Sequence, residues 1–498
     1  MLAATVAEAS RRWGEAAAYV SPTGWRLSYA ALDRLSDEVA GGLAARGVRA
    51  GDVVAVVLPP WPEFVVVYAA AAKLGAVTAG VNARLTPAER VACLDLGPAL
   101  VVGGDGEPVE PATDDSDCLA GLRVSDYAPA TLPADPERPV ALVFTSGTTG
   151  TPKGAVFAGR QLETITAIDT GWSWGGGGPQ LGTTTFAHLG PMTKLPGALV
   201  RGGTTHLLER WRAADAVELV ARERMAAIGG IPTQLALMLA DPAFEAHDLS
   251  CVQAVVIGGG PATPALVRSI RARFGAAVAV RYSCTEAGIG TGTAFTDPPE
   301  DAEVSVGRPQ PGVELLVLDD DDRPVEPGDI GAVCLRSAAT MSRYWVQPEA
   351  TAAAHTADGA VRTGDRGWVD DAGRLRLAGR EREMYVRGGE NVFPAEVESV
   401  LATVPGVVDV AVVARPDDVW GEVGVAVVVP ADRSSPPTLA SLRDAAARAL
   451  APFKLPEDVV VVDVLPLTAM DKVDRRALND LVSPSARRAA AARGTSSR

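Results

Sequence analysis

Between residues 53 and 103 short β-branched runs alternate with helical segments, and this pattern restricts the possible folds more than any other feature. Residues 53–58, 76–81 and 99–103 read as strands; those near 65–74 and 87–96 read as helices. Strand–helix–strand units with right-handed crossovers build a parallel sheet. The same theme returns with an amphipathic stretch at 213–224, apolar residues at 225–230 and a helix at 233–239. Strand-like runs at 254–257 and 277–281 follow. Ahead of all this, residues 1–50 read as helical patterns and turns, with Ser28 as an N-cap. From 313 to 377 short alternating runs separated by Pro327-Gly328, Asp358-Gly359 and Asp371-Ala372-Gly373 predict a small antiparallel region. Composition changes near 380, and a compact α+β module follows. The expected fold is therefore α/β: a large N-terminal domain with mixed or parallel sheets flanked by helices, then a small α+β domain. Residues 483–498 lack an apolar period and predict a frayed tail; residues 104–138, rich in Asp, Pro and Ser, predict a solvated excursion.

A chain of 498 residues exceeds what one core organises, so more than one domain is expected. Its net charge of -15 argues against a broad nucleic-acid surface, whose affinity comes from Lys and Arg. Five scattered cysteines without CxxC spacing oppose a disulfide framework or zinc cluster and fit a reducing cytoplasm. The apolar tract 64–72 is too short to span a bilayer, and charged residues interrupt the N-terminus.

Residues 145–154, TSGTTGTPKG, leave the strand-like run 139–144. Three glycines allow close backbone approach, five hydroxyls supply hydrogen bonds and Lys153 adds charge. The loop is not a Walker P-loop, since Gly154 rather than Ser or Thr follows the lysine. By itself it reads as a phosphate cradle or a plain turn. The runs at 254–257 and 277–281 lead into Gly258-Gly259-Gly260-Pro261 and Tyr282-Ser283-Cys284-Thr285-Glu286. In an open α/β sheet ligands collect at the carboxyl ends of strands, so all three loops are expected to face one crevice.

Six ordered motifs, TSGTTGTPKG, GGGP, YSCTE, RTGD at 362, GREREMYVRGGENVFPAEVE at 379 and LPLTAMDKVDR at 465, resemble those of the AMP-forming acyl-activating superfamily over nearly the whole chain. Acyl-CoA synthetases are the nearest group. The resemblance implies an N-terminal domain of residues 1–379, a hinge at 380–384 and a mobile domain of residues 385–482. It also implies ATP, Mg²⁺ and coenzyme A, with a carboxylic acid made into acyl-AMP and then a thioester.

By the same resemblance Thr145, Ser146, Gly147, Thr148, Thr149 and Gly150 hold the β- and γ-phosphates, while Lys153 serves chemistry or loop docking. Gly258, Gly259, Gly260 and Tyr282 sandwich adenine. Glu286, after Thr285, ligates Mg²⁺; Asp365 clamps the ribose, with Arg380 beside it and Arg382 as pivot. Lys472 reaches the α-phosphate and the acid, although Asp471 stands where glycine is usual. Gly388 and Gly389 pass the pantetheine thiol after a domain rotation, and His188 borders the acyl pocket. Lys194 lies near that pocket or at the surface. A fatty or aryl acid is expected rather than an amino acid, in a monomer or homodimer. The alternatives are transfer to a carrier-protein phosphopantetheine, and a catalytically silent nucleotide-binding homologue.

Overall fold

The computed structural model describes residues 1–145, 152–168, 171, 176–468 and 472–483. Ser146, Gly147, Thr148, Thr149, Gly150 and Asp471 lie outside the described residues, as does nearly all of the expected tail.

The expected parallel units form. Strands Leu100–Gly103, Val53–Val57, Val77–Gly80 and Pro139–Thr145 lie side by side in parallel, and Lys153–Ala158 closes the edge antiparallel to Pro139–Thr145. Every residue of Val53–Val57 is buried, as a strand covered on both faces requires. The helix Pro62–Leu74 starts with proline, stops at left-handed Gly75, and is buried nearly all round. Ser28 caps Tyr29–Ala45 by accepting a hydrogen bond from the Ala31 amide. Gly80 shows how tightly the next segment packs. A Cβ there would meet Met192 Sδ at 2.7 Å and the Ala187 Cα at 2.9 Å, so only glycine lets the helix Leu189–Arg201 seat against the sheet.

A second sheet carries Ala227–Gly230, Ala254–Gly258 and Ala277–Tyr282 in parallel and continues antiparallel through Thr291–Gly292 and Arg308–Pro309. The region 313–377 is antiparallel, as its turns predict: Glu314–Leu318, Gly331–Arg336, Val361–Val369 and Leu375–Arg380. After the 3-10 turn Glu381–Glu383 the chain enters another sheet, built from Glu390–Val392, Tyr385–Arg387, Gly421–Pro430, Val407–Asp417 and Asp458–Val461. This sheet has its own core around Val397, Leu401, Val412, Val428 and Leu442.

The loops at 145, 258 and 282, expected to face one crevice, leave two different sheets, since apolar periodicity marks strands without specifying their partners. Two readings are corrected by this architecture. Residues 1–50 are not helices and turns alone: Ala17–Val20 pairs with Arg26–Ser28 and with Thr204–Leu207, strands too short to show a period. The stretch 104–138 is no purely solvated excursion. Cys118, Leu119 and Leu122 are buried, Trp25 Nε1 donates to Asp115 at 3.0 Å, and Arg123 pairs with Glu38 at 2.7 Å. Sparse apolar residues among polar ones hid these anchors.

Candidate active site

The strands Pro139–Thr145 and Lys153–Ala158 pair so that Thr145 stands opposite Lys153. Both ends of the 145–154 loop are thereby held in one hairpin. Beside it runs the segment 339–345: Ser342 and Trp345 donate backbone hydrogen bonds to Val156 and Gly154, and Met341 donates to the Glu286 carbonyl at 2.8 Å. This wedge joins the first sheet to the Glu286 loop. Its Tyr344 is buried, and its hydroxyl donates to Glu286 Oε1 at 2.5 Å. The Thr145 side chain lies near the same phenol, and Lys153 Nζ lies 5.3 Å from the ring centroid. Burial, then the Glu286 charge, pushes the Tyr344 hydroxyl far above its ordinary value, so it stays protonated. Cys284 stands next to Glu286, and its thiol is likewise pushed up, first by burial and then by that carboxylate.

A second cluster lies at the end of Ala277–Tyr282. Tyr282 donates to Asp365 Oδ2 at 2.6 Å, while Arg380 Nε reaches Asp365 Oδ1 at 3.0 Å. Asp365 and Arg380 are cross-strand partners, which explains why residues fifteen apart in sequence form an ion pair. Burial raises the Asp365 carboxyl despite the opposing Arg380 charge. The run Gly258–Gly260 packs close to Arg281, Ile231 and Pro232, leaving bare backbone beside Tyr282.

Lys472 comes to this cluster from the far end of the chain. It keeps an exposed surface, yet desolvation between packed segments, then repulsion by Arg380 and Arg382, lowers its ammonium, with Asp365 acting oppositely. Nearby, Arg475 Nε pairs with Glu383 of the 381–383 turn at 3.5 Å, and its Nη2 donates to Glu398 at 2.9 Å.

Residues 6–345 match the AMP-binding enzyme model, and residues 396–472 match the AMP-binding enzyme C-terminal domain. The chain belongs to the AMP-binding enzyme family. This AMP-binding enzyme is 33% identical over 486 residues to an indoleacetate–CoA ligase of Aromatoleum aromaticum, covering 92% of this chain and 93% of that one. It is also 33% identical to the fatty acid–[acyl-carrier-protein] ligase ScoC of Streptomyces coeruleorubidus, covering 92% of each. Among solved structures, ATP-bound MatB from Rhodopseudomonas palustris superposes with a TM-score of 0.87 at 27% identity, covering 98% of this chain and all of that one.

The remaining expected site residues of this AMP-binding enzyme are placed by their own elements. His188 is half-buried at the N-cap of Leu189–Arg201. Thr285 accepts from the Gly288 amide in the turn that carries Glu286. Lys194 is on the helix after His188 and keeps an exposed surface, yet desolvation by the segments around it, then the Arg281 charge, lowers its ammonium. Gly388 and Gly389 form a two-residue turn between Tyr385–Arg387 and Glu390–Val392, both with positive φ, and Gly388 bonds the Trp420 carbonyl. Among the described residues no three His, Cys, Asp or Glu side chains gather as a metal cage. The donor set here, Glu286 with the Thr145 hydroxyl close by, suits Mg²⁺, which takes one or two carboxylates and completes its shell with phosphates and water. No helix among the described residues is long and apolar enough to cross a membrane. Sequence reasoning missed Tyr344 because its partners are distant in the chain; the aromatic pair Tyr344-Trp345 was its only signal.

Proposed function

We propose that this AMP-binding enzyme activates a carboxylic acid with ATP and transfers the acyl group to coenzyme A. It is an AMP-forming acid–thiol ligase. In the first half-reaction an acid oxygen attacks the α-phosphorus, the bond to the bridging oxygen breaks, and pyrophosphate leaves with that electron pair. In the second, a thiol loses its proton, its sulfur bonds to the acyl carbon, and AMP leaves with the carboxyl oxygen.

The observation that carries this reading is the approach of Lys472 to Asp365 and Arg380. The electrostatic influence of Asp365 and Arg380 on this lysine supports its serving the proposed nucleoside site, where negative charge grows as the acid attacks. Asp365 accepts hydrogen bonds from the ribose hydroxyls in place of the Tyr282 phenol and Arg380 guanidinium that it now binds. Thr145, Lys153 and Glu286 flank the phosphates; Glu286 would hold Mg²⁺, which would supply charge neutralisation to the pyrophosphate. His188, heading its helix, borders the acid. The 381–383 turn, where the chain changes sheets, serves as the hinge, with Arg382 its pivot, and divides residues 1–379 from the mobile 385–482. Rotation about it withdraws Lys472 and brings Gly388 and Gly389 to the adenylate, where their bare backbone admits the thiol.

A panel of fatty and aryl acids tested for pyrophosphate release and for thioester on free coenzyme A checks the proposal. Acid-dependent release of pyrophosphate and a thioester are expected; no release with any acid rejects it. The carrier-protein ligase among the relatives at equal identity favours one second reading, transfer to a carrier phosphopantetheine. Acyl transfer to a carrier with none to coenzyme A would select it.

A further inference from the structure

The hub formed by Tyr344 is not explained by binding alone. One phenol meets groups 199 and 58 residues away in the chain: it lies near Thr145, where the phosphate loop begins, and donates to Glu286 on the loop after the second sheet's strand Ala277–Tyr282. Lys153, where the loop ends, stands over the same ring. The polarity of the chain of bonds is fixed by chemistry. A carboxylate can only accept, so the single phenolic hydrogen goes to Glu286, and the phenolic oxygen keeps its lone pairs for a neighbouring donor. Both flanking groups then offer oxygen lone pairs outward. Backbone contacts of the wedge make the arrangement rigid: the Tyr344 amide donates to Thr351 Oγ1 at 3.0 Å, and its neighbours pair with Val156 and Gly154.

We infer that Tyr344 is a positioning residue for the cation that accompanies ATP, orienting Glu286 and Thr145 as oxygen ligands and seating Lys153 at the loop end. The inference rests on the proposed role of Glu286. Outer groups that hydrogen-bond a metal ligand typically set about 10–100-fold of metal affinity. Tyr344 would do so without touching cation or nucleotide.

Tyr344→Phe removes one oxygen and keeps the ring under Lys153. Binding of Mn²⁺ to the full chain with ATP and no acid, followed by electron paramagnetic resonance, should weaken about tenfold. Thioester formation from supplied acyl-adenylate and coenzyme A needs no pyrophosphate-side cation and should hold its wild-type rate. Unchanged Mn²⁺ affinity overturns the inference, as does an equal fall in both half-reactions with a lowered melting temperature, which marks a packing role. Glu286→Gln separates the readings: weaker Mn²⁺ binding in Glu286→Gln but not in Tyr344→Phe sinks only the role of Tyr344, whereas no change in Glu286→Gln sinks the metal site itself. Thr145→Val reads the other arm of the hub should Tyr344→Phe not fold. Retention of Mn²⁺ affinity there opposes the inference.

Discussion

At the scale of single residues, the two cationic side chains in the site have different standing. Lys153 is tethered over an aromatic ring, whereas Lys472 is placed against Arg380 and Arg382 by packing of distant segments. Lys472→Ala should therefore lower adenylation by about 10²–10³-fold, the loss typical of one preorganised charge-stabilising group, while thioester formation from supplied acyl-adenylate persists. Pyrophosphate exchange and thioester assays read the two halves. A pH profile gives a second test. In the proposed reaction the cationic form of Lys472 acts, and desolvation, then repulsion by Arg380 and Arg382, holds its titration below the ordinary lysine range, so the alkaline limb of kcat/KM for ATP should come early. Arg382→Gln removes one repelling charge and should move that limb to higher pH. Residue identities in contiguous motifs were legible in the sequence, Asp365 and Arg380 among them. Tyr344 was not, because nothing local in Arg343-Tyr344-Trp345 marks a partner 58 residues back.

Elements show where local rules suffice. The turn at Gly388 and Gly389 needs left-handed backbone at both positions, which the Gly-Gly pair signals directly. A Cβ on Gly388 would also stand 2.8 Å from the Trp420 ring. Gly388→Ala should destabilise the hairpin by about 1–3 kcal/mol and slow thioester formation more than adenylation, as thermal unfolding and half-reaction rates would record. The strand pair Val361–Val369 and Leu375–Arg380 is tied differently. Burial alone would raise the Asp370 carboxyl, but hydrogen bonds from Arg374 and Arg376 outweigh it and hold it well below the usual carboxylate range. A carboxyl depressed by folding adds stability above its unfolded value, about pH 4, and the gain disappears as pH falls through the lower folded value. Asp370→Asn should accordingly lower urea midpoints at pH 5–7 and flatten their decline below about pH 4.

On the scale of the whole molecule, the proposed rotation turns on one segment that carries the chain from the antiparallel sheet ending at Arg380 into the sheet beginning at Tyr385. Arg475 pins that turn from the C-terminal segment through Glu383. Arg382→Pro fixes φ near −65° and should retain adenylation while reducing thioester formation, since only the second step needs the turn to change conformation. Equal effects on both half-reactions would exclude the hinge. By itself the sequence determined most kinds of elements, the antiparallel region 313–377 and the side-chain types that the motifs bring, because burial periodicity, turn residues and side-chain type act over a few neighbouring residues. Only tertiary structure decided that the strand-end loops belong to two sheets, that Cys118 and Leu122 anchor the stretch 104–138, and that Tyr344 meets both Thr145 and Glu286. Those outcomes depend on long-range pairing, where the gain from burying whole faces against one another outweighs any local preference, and a linear pattern carries no record of which face meets which.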